Sequence, residues 1–203
     1  MATFIMLPDG VTGTNQWNDT DNSFPFTPCA ASNVDNDNGG TDYCRESTNS
    51  HEVTFTMAAP SVLESKIHSI TSVQIRISAA YTATSGGTTR ILSYMEGTDI
   101  SNGNSRHDIA IGGTYATYVG DVESYATGTT DWTYANLEDL EIRLDKSSNA
   151  ASRKEVRVSY LYVEVTYTAA AAGYGNDVIG VASSDIGAIN GIVTANISKV
   201  NGV

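Results

Sequence analysis

The densest run of ligand-type side chains is the twelve-residue segment Asp35-Asn-Asp-Asn-Gly-Gly-Thr-Asp-Tyr-Cys-Arg-Glu46. Set against a calcium-loop template it has Asp35 and Asp37 at the first and third positions, Gly40 at the sixth and Glu46 at the twelfth, and hard cations favour several oxygens on a flexible acidic turn. The fifth position is Gly39, the eighth is Asp42 where the template has an apolar residue, and no flanking helices are expected, so an EF-hand is excluded. Asp35, Asp37, Asp42 and Glu46 stand as candidate ligands of a calcium loop of another kind, set against a solvated acidic loop. Tyrosine is the other excess, at 11 residues. Tyr81, Tyr94, Tyr115, Tyr118, Tyr125, Tyr160 and Tyr162 fall in strand-like segments. Rings exposed on a concave sheet could stack on sugars, although strand tyrosines also serve as ordinary core and rim residues.

Catalytic signatures are missing. The chain has no G-x-S-x-G, H-E-x-x-H, G-x-x-x-x-G-K-[ST] or G-x-G-x-x-G. His51, His68 and His107 read as solvated or satisfied strand residues rather than as triad members. Glu138 and Asp139 read as surface charges on a short helical turn, and only spacing in three dimensions could pair carboxylates for glycoside hydrolysis. Cys29 and Cys44, fifteen apart, read either as a disulfide or as two thiols, with no C-x-x-C or paired histidine to make a zinc site. The sequence thus points to no catalytic residue and, calcium aside, to no cofactor.

These residues sit on 203 positions carrying 11 Lys and Arg against 23 Asp and Glu, a net charge of −12 at pH 7. Such a chain is a poor phosphate binder, which argues against nucleic acid as a partner. No run approaches a membrane span, and Met1-Ala-Thr-Phe-Ile-Met-Leu-Pro8 lacks the basic and apolar regions of a secretory signal, so the expectation is a protein made and kept soluble in a cytosol. The charge is uneven: Asp9, Asp19, Asp21, Asp35, Asp37, Asp42, Glu46 and Glu52 face a single base, Arg45, in the first quarter of the chain.

The elements that must position the candidates read as strands. From Ile70 to Ala79, Val73, Ile75, Ile77 and Ala79 alternate with Gln74, Arg76 and Ser78, the period-2 signature of a half-buried strand. Further strands are predicted over His51–Met57, Thr89–Met95, Arg106–Ile111, Tyr115–Tyr125, Glu141–Leu144 and Glu155–Tyr167, and Thr133 is placed to cap a short helix through Leu137 and Leu140. In the last strand Val156 and Val158 set one apolar parity while Leu161, Val163, Val165 and Tyr167 set the other. Either a bulge near Tyr160 switches the face or the strand is buried on both sides. Many short strands with almost no helix mean an all-β fold, best read as an antiparallel jelly-roll β-sandwich over residues 1–168.

After an Ala/Gly linker over 169–176, the tail over 177–203 repeats with a period of eleven: Val178 to Ala188, Ile189 to Lys199, then Val200-Asn-Gly-Val203. Its glycines argue against a helix, since each costs about 1 kcal/mol in a helix interior, and Asn-Gly between aliphatics is a strong hairpin signal. Val178, Ile179, Val181, Ile186, Ile189, Ile192, Val193, Ile197, Val200 and Val203 form an aliphatic set too large for so short a piece to bury alone. The tail is therefore expected to be a β-rich oligomerisation or docking segment, set against a strand pair folded back on its own sandwich.

Several segments resemble a family of jelly-roll-like proteins encoded in the genomes of tailed phages: Leu7-Pro-Asp-Gly10 with Trp17, Ile70-Thr-Ser-Val-Gln-Ile-Arg-Ile77, Asp131-Trp-Thr-Tyr-Ala-Asn-Leu-Glu-Asp-Leu-Glu-Ile-Arg-Leu144 and Val156-Arg-Val-Ser-Tyr-Leu-Tyr-Val-Glu-Val-Thr-Tyr167. The Asn-Gly-Val/Ile tail is similar to appendages of phage structural proteins. The resemblance implies a non-enzymatic virion component: a capsid decoration, head-fibre or tail-appendage protein assembled as a trimer or other homo-oligomer. Its expected partners are virion proteins such as the major capsid protein. A carbohydrate-binding module, independent or on the phage surface, is the alternative.

Overall fold

A computed structural model describes residues 1–19, 29–35, 42–48, 50–82, 89–97, 100, 106–146, 155–170, 188–189 and 192–193. The chain forms β1 (Ala2–Met6), β2 (Pro8–Thr12), β3 (Cys44–Glu46), β4 (Glu52–Met57), β5 (Ile67–Thr82), β6 (Thr89–Glu96), β7 (Arg106–Ile111), β8 (Ala116–Glu123), α1 (Tyr134–Glu138), β9 (Glu141–Lys146) and β10 (Glu155–Ala169). All the pairings are antiparallel, and four of them nest: β3 with β10, β4 with β9, β5 with β8 and β6 with β7. That nesting is one long hairpin of four-strand arms. Rolling it up adds the pairs β10 with β5 and β9 with β6, which splits it into two sheets ordered β3-β10-β5-β8 and β4-β9-β6-β7. This strand order is that of a jelly roll.

The first two strands extend the roll. β1 pairs along β10 from Ala2↔Tyr167 to Met6↔Val163, beyond the stretch that β3 covers, and after Leu7 the chain crosses to the other sheet, where β2 pairs with β4. β2 opens on Pro8, which has no N–H to give and is tolerated at the start of an edge strand.

The core lies between the sheets. Val73, Ile75, Ile77 and Ala79 of β5 face inward while Gln74 and Arg76 face out, as the alternation requires. β9 alternates in the same way, with Ile142 and Leu144 buried. The register of β10 against β5 slips between Val158 and Tyr160, so Ser159 is the extra residue of a β-bulge. The bulge carries the apolar parity from Val156 and Val158 over to Leu161, Val163 and Val165, all fully buried. Thr133 caps α1 by accepting the Asn136 N–H while Asn136 Oδ1 accepts the Thr133 N–H at 2.9 Å; Leu137 and Leu140 then drop into the core.

Gly97 shows how closely the end of β6 meets α1. It has φ +148°, and a Cβ there would stand 2.6 Å from the Asp139 carbonyl oxygen, which is backbone. Gly97→Ala should therefore destabilise the fold by about 1–3 kcal/mol, read as a lower urea midpoint at unchanged slope; an unchanged midpoint would contradict the packing.

In the tail, β11 (Ala188–Ile189) and β12 (Ile192–Val193) pair antiparallel, Ala188 with Val193 and Ile189 with Ile192. Ile189, Ile192 and Val193 thus lie in a short paired segment, while Val178, Ile179, Val181, Ile186, Ile197, Val200 and Val203 lie outside the described residues.

Candidate functional site

Among the described residues, Asp35, Asp42 and Glu46 are not grouped around one point. Asp35 forms an isolated antiparallel backbone bridge with Tyr160 of β10, and Asp42 accepts a hydrogen bond from Asn33 Nδ2 at 2.7 Å. Glu46 is buried on β3, where its carboxylate accepts the Ser47 and Thr48 N–H groups and lies 3.1 Å from His51 Nδ1. Those bonds turn the carboxylate into its own β3–β4 turn, which Lys146 also anchors by donating to the Ser47 carbonyl at 2.6 Å. Asp37 lies outside the described residues, and among the described residues no three acidic, His or Cys side chains are grouped to hold a metal ion. Cys29 and Cys44 are joined as a disulfide with their Cα atoms 5.3 Å apart, resolving the alternatives left open above in favour of the bridge.

The tyrosines divide by role. Tyr81 is buried. Tyr94 carries the Arg143 guanidinium 4.2 Å from its ring centre, and Tyr118 accepts the Gly112 N–H at 2.7 Å. Tyr160 and Tyr162 pack ring on ring at 4.9 Å. Tyr115 has a buried hydroxyl with no hydrogen-bond partner, and burial pushes its pKa up to about 12. Tyr125 differs from these: 47% of it is exposed, and it stands on the wall of a groove.

That groove, about 460 Å³ in volume, opens at one end of the sheet that contains β5 and β8. His68, Ser69, Ile70 and Thr71 of β5 form one wall; Ser124, Tyr125, Asp131 and Trp132, which follow β8, form the other. The second wall is set by a tight turn in which Thr130 N–H donates to the Thr127 carbonyl (2.7 Å) and Ala126 N–H to the Thr130 carbonyl (2.9 Å). Gly128 enters the left-handed region at φ 52°, which favours glycine. The turn lifts Tyr125 outward and returns the chain at Asp131. Trp132 is buried behind it and donates its Nε1–H to the Glu123 carbonyl at 3.1 Å, so the indole offers the groove carbon rather than a donor.

Among the described residues the lining therefore combines an exposed phenol ring, apolar indole edge, Ser and Thr hydroxyls, one carboxylate (Asp131) and one imidazole (His68), with no Lys or Arg. A pocket of apolar surface with a few polar groups is the usual composition of a small-molecule site. Glu138 and Asp139 are exposed at a second cleft of about 410 Å³ with Thr56, Met57, Gly97, Leu140 and Glu141. There burial, then Glu96 and Asp139, raise the Glu141 pKa; among the described residues no aromatic ring lines it. Of the groove residues, sequence reasoning singled out Tyr125 and named His68 only to set it aside. A signal that could have found Trp132 is the turn-forming Thr127-Gly-Thr-Thr130 lying between it and Tyr125.

No protein-family model matches the sequence, and no curated protein does. Among solved structures, the crystal structure of the CBM36-1 domain of a multidomain xylanase from the hindgut metagenome of Trinervitermes trinervoides is similar at a TM-score of 0.43 and 10% identity, over 82% of this chain and 98% of that one. The jelly roll rests on the strand order described above and not on this likeness.

Proposed function

We propose that this chain is a non-catalytic glycan-binding jelly roll whose site is the Tyr125–Trp132 groove. The observation that carries the reading is an exposed tyrosine set against indole carbon within a ring of hydroxyl, carboxylate and imidazole groups. Sugar rings present C–H faces that pack on aromatics and hydroxyl edges that such polar groups bond. The test is isothermal titration with cellohexaose, xylohexaose, chitohexaose and maltohexaose, beside an assay for new reducing ends. Binding of at least one without reducing-end release is expected. Cleavage, or binding of none, would overturn the reading. Tyr125→Ala should weaken the affinity about tenfold or more, the scale of an aromatic anchor in an interface, with the melting temperature unchanged.

A virion appendage or decoration protein is the second reading. What favours it is the tail, where β11 and β12 pair within an eleven-residue aliphatic repeat, together with the resemblance of the strand segments to phage proteins. On that reading the tail joins copies of the chain, as a trimer or other homo-oligomer, or docks on a capsid protein. Light scattering of the full chain and of a truncation after Ala170 tests it: an oligomer that becomes a monomer on truncation supports it, and two monomers contradict self-assembly through the tail.

A further inference from the structure

The groove's indole is tied to a histidine held away from solvent. Trp132 donates to the carbonyl of Glu123, the last residue of β8, and the Glu123 carboxylate Oε1 stands 3.7 Å from Nε2 of His107 on β7. His107 is 1% exposed. Its Nδ1 accepts the main-chain N–H of Asp121 at 3.0 Å, where β8 slips register against β5 between Gln74 and Arg76. The imidazole packs on bare backbone there, since a Cβ on Gly120 would lie 3.2 Å from His107 Cγ.

Among the described residues, the groups facing His107 come from β8 and β6. From β8 come the Asp121 carboxylate, 3.8 Å from Nδ1 and largely in water, and the Glu123 carboxylate. From β6 comes Ser93, directly across the strand pair, its buried hydroxyl without a hydrogen-bond partner, as is His107 Nε2.

We infer that His107 is an acid-operated fastener of the groove: its protonation expels the Asp121 N–H, loosens the β8 bulge and shifts the Glu123 carbonyl that holds Trp132, so that glycan retention weakens as the pH falls. The inference rests on the groove being the glycan site. Its chemical basis is that an imidazole accepting at Nδ1 must be the neutral tautomer protonated at Nε2, whereas an imidazolium carries N–H at both nitrogens and accepts at neither. Protonation therefore sets donor against donor at Asp121, while the two carboxylates wait as new acceptors.

The sign agrees with the burial. Burial holds His107 below its ordinary value, the Asp121 carboxylate opposing; burial, then Asp121, raises Glu123. The folded state thus binds fewer protons at His107 than the unfolded chain. The stability this contributes is fully present above about pH 6.5, the unfolded value, and is lost as the pH falls toward the lower folded value.

The test follows the Asp121 amide and Trp132 indole ¹⁵N signals of the full chain from about pH 7.5 to about pH 5, the range in which histidine titrates. It compares the native chain with His107→Asn, whose Oδ1 can take the place of Nδ1 but cannot be protonated, and with Glu123→Gln. Both signals should move together in the native chain and in Glu123→Gln and stay put in His107→Asn. Titration that survives in His107→Asn, or vanishes in Glu123→Gln, would overturn the inference. Should His107→Asn not fold, the native His107 ring nitrogen signals must titrate with the same midpoint as the Asp121 amide, and a different midpoint overturns it. In parallel, affinity for whichever of the four hexasaccharides binds should fall about tenfold across this range, the scale of one pK unit, and stay nearly constant in His107→Asn. Signals that move while affinity does not overturn the coupling; hexasaccharides that bind at no pH overturn the groove reading and the glycan-release half of this one, with the ¹⁵N signals still judging the fastener.

Discussion

Trp17→Ala should lower the folding free energy by about 3–5 kcal/mol, the usual cost of removing a buried aromatic. Trp17 is fully buried, and its Nε1–H donates to the His51 carbonyl at 3.0 Å. It also organises the segment between β2 and β3: its carbonyl accepts the Cys29 N–H at 2.9 Å, and the neighbouring Asn18 exchanges backbone bonds with Arg45 of β3 at 3.0 and 2.7 Å. The substitution thus removes core volume and one of the two hydrogen bonds to the His51 carbonyl, which keeps the Lys146 N–H at 3.2 Å, so the lost core volume carries most of the effect. Urea unfolding measures it. A loss below about 1 kcal/mol, the level of a surface change, would contradict the burial.

The second large effect is covalent. Cys29 and Cys44 close a loop of sequence separation 15, and chain entropy assigns a bridge of that span about 3 kcal/mol. It fastens the same segment that Trp17 packs, joining the residue bonded to Trp17 to the first residue of β3. A Cys29→Ser/Cys44→Ser chain, or the native chain in reductant, should melt about 6–12 °C lower, since about 1 kcal/mol shifts a domain of this size by about 2–4 °C. Differential scanning calorimetry with and without reductant checks it, and identical melting curves would contradict the bridge.

The strands buried on one face were legible, and those whose pairing is all that holds them were not. β5, β7 and β9 announce themselves by alternation, and of the two readings of the parity change in the last strand, a bulge near Tyr160 or burial on both sides, the chain takes the bulge, at Ser159. β3 left no such trace: Cys44, Arg45 and Glu46 are all buried, two of them charged. Arg45 is satisfied by the Asp19 carbonyl and by Glu155, and Glu46 by its own turn. Only the fold supplies those partners, so period-2 reasoning saw an acidic loop where an edge strand lies.

The groove was half legible for a related reason. Tyr125 could be picked out as a strand-end tyrosine, but its opposite wall, His68 to Thr71, comes from more than fifty residues earlier and is brought there only by the β5–β8 pairing. His107 looked like a structural histidine, and it is one in packing. What the sequence could not carry is that its acceptor nitrogen faces a bulge two residues from the carbonyl that holds Trp132.

The central claim is that the Tyr125–Trp132 groove is where this jelly roll meets a glycan. The most direct measurement is a ¹H–¹⁵N chemical-shift map of the full chain as each of the four hexasaccharides is added. The account predicts that the largest shifts fall on the Trp132 indole and on the amides of Ser69, Thr71, Ser124, Tyr125 and Asp131. Shifts centred instead on Tyr160 and Tyr162 or on the cleft of Glu138, Asp139 and Glu141, or no shifts with any of the four, would contradict it.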